Sequence, residues 1–178
     1  MESKPDEGKQ NAIDGFAHEH VAAAILMKRY HHVSLMDVPL SSYDMLIDLR
    51  GTGDHEEIIR AQVKTARTRV PFTGGGRGGV DRVYKSGVKT YTYSPDNSDV
   101  VIGVHPIDDN DRTFELYFLP TLLIERLHQK TGIAISKIQA LRENYFILEN
   151  CKNEAVIIDK CREYGILPET STQVILEI

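Results

Sequence analysis

The sequence predicts an α/β fold with a C-terminal helical part, and three observations carry that expectation. Asn11 to Tyr30 is rich in Ala and has helical patterning. The stretches 43–49, 58–66, 100–104 and 114–119 alternate or run apolar, as strands do. From Pro120 onward the apolar residues return at helical spacing. At 178 residues the chain has the length of one domain and enough material for a sizeable core. Its expected organisation is a disordered lead-in over 1–10, a core over 11–130, and a helical appendage over 131–178 for oligomerisation or packing.

Composition narrows the class. Hydrophobic and charged fractions of 41% and 26% are ordinary for a globular protein. No apolar run is long enough to span a bilayer, and Met1 to Gln10 is too polar for a signal peptide. A soluble, intracellular (cytoplasmic) protein with no membrane partner is expected. Cys151 and Cys161 have no His or Cys neighbour at metal-site spacing, so buried thiols are expected rather than a zinc site. The net charge of -5 does not exclude nucleic acid, because phosphate affinity depends on where basic groups cluster. Arg60, Lys64, Arg67, Arg69, Arg77, Arg82, Lys85 and Lys89 do cluster, interrupted only by Asp81.

Within the first helix, Phe16, Ala23, Met27 and Tyr30 form a stripe, with Asn11 or Asp14 as the cap. Glu19 shares that spacing, so its carboxylate points toward buried surface and needs a partner. That partner is either a metal or a backbone group or His18 or His20. His31, His32 and Val33 to Met36 suggest a short strand after the helix. Tyr43 to Leu49 places Asp44, Leu46 and Asp48 on one face and Met45, Ile47 and Leu49 on the other. Ile58 to Ala66 places Gln62 and Lys64 on its more polar face. The Gly- and Asp-containing connection between them predicts antiparallel neighbours. An acid, an amide and a lysine then converge where a metal and a phosphate can sit. Asp48 is a second-choice ligand or a solvated residue at the strand end.

The run Pro71 to Gly79 lacks the Gly-Lys-Ser/Thr ending of a phosphate loop and reads as a basic loop or a plain linker. Lys89 to Tyr93 is strand-like. Val100 to Val104 is a central buried strand, and Phe114 to Leu119 is its neighbour across a polar turn. Pro120 starts a helix over Thr121 to Lys130. Ser136 caps another, carrying Ile138, Leu141, Tyr145 and Leu148, and Glu154 to Tyr164 forms a third.

Asp44 with Gln62-Val63-Lys64 and a helical Glu19 resembles the PD-(D/E)xK nuclease superfamily. The string of helix, Tyr-Asp strand and Gln-Val-Lys-Thr-Ala, followed by Asp99-Val-Val-Ile-Gly-Val and Glu-Leu-Tyr-Phe-Leu-Pro, is most similar to its group I intron homing endonuclease branch. The resemblance implies a restriction-endonuclease-like core, with a mixed central β-sheet flanked by helices. It implies a magnesium-dependent, site-specific endonuclease cutting double-stranded DNA, with Mn2+ able to substitute. The catalytic set would be Glu19, Asp44, Gln62 and Lys64, with metal ligands Asp44, Glu19 and the Val63 carbonyl. Gln62 departs from the family's acid. Arg67, Arg69, Arg77, Arg82, Lys85 and Lys89 would contact DNA. Cutting both strands needs two sites, so a homodimer or homotetramer is expected. The alternatives are a restriction, repair or junction-resolving nuclease of the same fold, or a non-catalytic DNA-binding module.

Overall fold

A computed structural model describes residues 7–37, 41–50, 57–75, 90–108, 112–127, 129 and 131–169. Helix α1 (Glu7–Met27) leads into β1 (His32–Leu35), β2 (Met45–Asp48) and β3 (Ile58–Thr65). Strands β4 (Arg69–Pro71), β5 (Thr73–Gly75) and β6 (Thr90–Thr92) follow, then β7 (Val100–Pro106) and β8 (Phe114–Pro120). A 3₁₀ helix (Thr121–Leu127), strand β9 (Gly132–Ala134), two 3₁₀ turns, α2 (Tyr145–Glu149) and α3 (Glu154–Glu163) complete the chain.

The main sheet has the order β1-β2-β3-β7-β8. Neighbours run antiparallel except β3 and β7, which are parallel. The sheet is therefore mixed, as expected, and β2 and β3 are antiparallel neighbours. Between β3 and β8 lies β7, whose Val100, Val101, Ile102 and Val104 are all fully buried. A continuous apolar run suits a strand covered on both faces. Helix α1 packs against β1, β3 and β7, and α2 packs against β8.

Two expectations about helices need correction. Helix α1 starts at Glu7, so its first turn lies within the stretch read as a lead-in. Its inward stripe is His18, Ala22, Ala23 and Leu26, with Tyr30 buried just beyond its end, while Phe16 and Met27 are 65% and 46% exposed. Spacing alone could not distinguish the two faces, because both carry apolar residues. After Pro120 the chain is less helical than its periodicity suggests. Backbone from this region is drawn into pairing instead: β9 joins β4, Arg142 bridges to Tyr117, and Glu143 N donates to Leu116 O. Glu143 sits at φ 49, which ends any continuous helix there, and Asn144 then caps α2. Ile138, Leu141, Ile147 and Leu148 join the same buried core as the sheet. Cys151 and Cys161 are buried free thiols, as expected.

Gly103, in the middle of β7, marks a close approach. A Cβ there would lie 2.7 Å from Val70 Cγ2 and 3.1 Å from Ala66 Cβ. Gly103→Ala is therefore expected to destabilise the fold by about 1–3 kcal/mol, the usual cost of overpacking. Thermal unfolding checks it, and an unchanged midpoint would contradict the packing described.

Candidate active site

Three consecutive residues of β3 and one residue ahead of β2 make the site. Asp44 is fixed by its own backbone: its N donates to Ala61 O at 2.9 Å, and its O accepts from Met36 N at 2.8 Å. Its side chain is fixed as well. Oδ2 accepts from Val63 N at 2.7 Å and from the Gln62 amide. Gln62 is only 6% exposed, and its Nε2 also lies 3.4 Å from Val63 O. The sheet register thus brings the acid and the amide into contact, as the alternation of β2 and β3 predicts.

Lys64 and Glu19 complete the cluster electrostatically. Burial pushes the Lys64 ammonium below its ordinary range, against the charges of Asp44 and Glu19. Burial likewise raises Asp44, against hydrogen bonds from Val63 and Gln62 and the charge of Lys64. Glu19 is pushed up to about 7, by burial first and then by Asp44, while Lys64 and His20 oppose the shift. Two carboxylates therefore sit where their charge is under-compensated. That is the condition a cation relieves.

The shift of Glu19 sets a sign for stability. In the folded protein it keeps its proton to about pH 7, and in the unfolded chain only to its ordinary 4.5. Its contribution is thus complete below about pH 4.5 and lost as pH rises through 7. Without metal, the melting temperature of the natural protein should fall between about pH 5 and pH 8 more steeply than that of Glu19→Gln. Unfolding scans in chelator check this, and equal slopes would contradict the placement of Glu19.

Several side chains outside the motif hold it in place. His18, 3% exposed, meets Thr65 Oγ1 at 2.7 Å through Nδ1 and stacks edge-on against Phe114 at 5.4 Å. It joins α1 to β3 beside Glu19 and Lys64. Tyr93 is 2% exposed, and its ring centre lies 5.3 Å from Lys64 Nζ. Nothing in the local sequence marks Tyr93, because its partner Lys64 lies far along the chain, with β4, β5 and β6 between them. Asp99, almost fully buried, accepts from Arg60 N at 2.7 Å and from Arg60 Nη2 at 2.7 Å. It anchors the start of β7 to β3.

Not every expected residue joins the site. Asp48 is engaged by Arg50, with contacts of 2.5–3.0 Å to both carboxylate oxygens. That pairing holds its carboxyl down to about 2. Asp48 thus ends β2 in an ion pair with Arg50. Among the basic candidates, Arg67 lies 3.7 Å from Asp14, and Arg69 donates to Thr131 Oγ1 and Gly132 O. Arg77, Arg82, Lys85 and Lys89 lie outside the described residues.

Comparison with known proteins gives a clear result at the level of fold. No family model matches the chain, and no curated protein does. Among solved structures, that of a bacterial homing endonuclease, I-Ssp6803I, aligns with a TM-score of 0.55 and 15% sequence identity. The alignment covers 81% of this chain and 95% of that one. The fold is homing-endonuclease-like. A homing-endonuclease-like fold accounts for the mixed sheet and for helices flanking it. No helix of the described residues is long and apolar enough to cross a membrane.

The donor set can be tested against magnesium on its own chemistry. Magnesium takes oxygen ligands and is commonly held by one or two carboxylates, keeping several waters. Asp44, Glu19, the Gln62 amide and the Val63 carbonyl are all oxygen donors, and the two acids are under-compensated. The residues fit one such ion. Among the described residues, no group of three or more His, Cys, Asp or Glu could hold a metal.

Proposed function

We propose that the chain is a magnesium-dependent endonuclease of the PD-(D/E)xK type that hydrolyses phosphodiester bonds in double-stranded DNA at specific sites. The observation that carries this reading is the buried contact of Asp44 with Gln62 and Val63, one residue from Lys64 and electrostatically coupled to Glu19. The likeness of fold to a homing endonuclease supports it.

Asp44 and Glu19 would hold the ion, with the Val63 carbonyl and the Gln62 amide oxygen completing the protein's share. When bound, the ion would polarise a phosphoryl oxygen and lower the pKa of a water. The amide of Gln62 now presents its nitrogen to Asp44, so serving as a ligand requires a half-turn about its last torsion. An amide also brings no charge, so affinity should be lower than in a site with a third acid. Lys64 donates from a partly desolvated position, where its charge offsets the negative charge that grows on the phosphate oxygens and orients the attacking water. Burial keeps both carboxylates eager for a positive partner, which favours the loaded state.

Cleavage of both strands would come from a homodimer or homotetramer acting on double-stranded DNA through Arg67, Arg69 and the basic residues 77–89. Incubation of genomic DNA with magnesium should yield discrete fragments. A smear would remove sequence specificity and leave the nuclease chemistry standing.

A second reading has one observation in its favour. The site holds two acids and an amide where a third acid would strengthen it. A non-catalytic DNA-binding module would bind duplex without magnesium and cut nothing, with affinity falling steeply as salt rises.

A further inference from the structure

The paired strands β5 and β6 bring an aromatic pair beside the site. Tyr93 N donates to Phe72 O at 3.0 Å, which fixes its backbone one residue after β6. Its ring meets the Tyr91 ring edge-on, with centroids 5.5 Å apart and planes at 86°. The close approach requires Gly74, where a Cβ would lie 2.6 Å from Tyr91 Cζ and 2.9 Å from the Tyr93 hydroxyl. Phe72, Gly74 and Tyr91 therefore surround Tyr93, and what its buried ring faces is an ammonium. Lys64 Nζ lies 5.3 Å from the ring centre, inside the range of a cation–π contact.

An unbranched lysine side chain has considerable rotamer freedom, and its ammonium would otherwise sample a wide arc. The Tyr93 face and the charges of Asp44 and Glu19 narrow that arc. The ring attracts the cation without competing for its protons, so all three N–H groups stay available to oxygen acceptors. A carboxylate in the same place would bind them.

We propose that Tyr93 is a positioning residue, whose buried ring holds the Lys64 ammonium toward Asp44 so that its N–H groups meet the scissile phosphate. This deepens the nuclease reading above and rests on it. The ring is the operative part, and the hydroxyl serves the contact with Tyr91.

The test is single-turnover and steady-state cleavage of duplex DNA by the full chain with magnesium. Tyr93→Phe should keep kcat within about threefold, because the π face is retained. Tyr93→Leu should lower kcat roughly tenfold, the scale of a desolvated cation–π contact, with KM unchanged. Because Tyr93→Leu leaves a gap in the core, a near-isosteric series provides a second route. Phenylalanine, 4-fluorophenylalanine and 3,4,5-trifluorophenylalanine at position 93 should lower kcat in that order as the ring face loses its negative potential. An unchanged kcat across the fluorinated series would overturn the proposal and leave the nuclease reading standing. A natural protein that cuts no duplex under any metal would overturn both.

Discussion

Asp44→Ala is expected to reduce cleavage of duplex DNA by at least about 10²–10³-fold, the scale of losing one preorganised group that stabilises developing charge. Alanine also strands the Val63 N–H and the Gln62 amide, both now bonded to Asp44 Oδ2. Leaving buried donors unsatisfied costs about 1–3 kcal/mol each. Asp44→Asn separates the two effects. Its carbonyl can still accept from Val63 N, so it should melt near the natural protein while losing most of the activity. Single-turnover rates beside unfolding midpoints check this pair. An active Asp44→Asn would show that the charge at this position is dispensable.

Gln62→Glu is expected to act in opposite directions on stability and on metal affinity. Position 62 is 6% exposed and its amide now donates to Asp44. A carboxylate there removes the donor and adds a like charge beside Asp44 and near Glu19. Without metal the variant should lose about 3–5 kcal/mol, as when one partner of a buried charge is removed. Protonation of one of the three acids relieves part of this, so the loss should deepen as pH rises. With magnesium the sign reverses: the third acid should tighten binding by about tenfold or more and restore the midpoint. Unfolding scans with magnesium and with chelator measure both. A variant with natural stability in chelator and unchanged magnesium affinity would exclude Gln62 from the ligand set.

The residues of the site were legible in the sequence because strand geometry is short-ranged. Period-two alternation places Gln62 and Lys64 on one face of β3, and the hairpin brings Asp44 opposite them, so three of the four groups follow from local rules. Glu19 was legible for a different reason: a carboxylate at the spacing of a buried stripe calls for a partner. The stripe itself was misassigned at Phe16 and Met27, since α1 carries apolar residues on both faces. Less was legible where side chains meet from distant segments. The contact of Tyr93 with Lys64 depends on the pairing of β5 and β6, and the contact of His18 with Thr65 depends on where α1 crosses the sheet. The stretch after Pro120 shows the same limit. Its apolar residues repeat at helical spacing and are buried as expected, yet the backbone follows β8 and β4 because their edges supply hydrogen-bond partners.

Supercoiled plasmid cleavage tests the central claim most directly, with magnesium or with chelator, using the natural protein, Asp44→Ala and Lys64→Ala. The account predicts that the natural protein nicks or linearises the plasmid only with magnesium, and that both variants bind the DNA and leave it intact. Cutting that persists in chelator, or in either variant, would contradict the assignment of the site. Salt-sensitive binding by all three proteins with no cutting by any of them would identify a DNA-binding module on this fold.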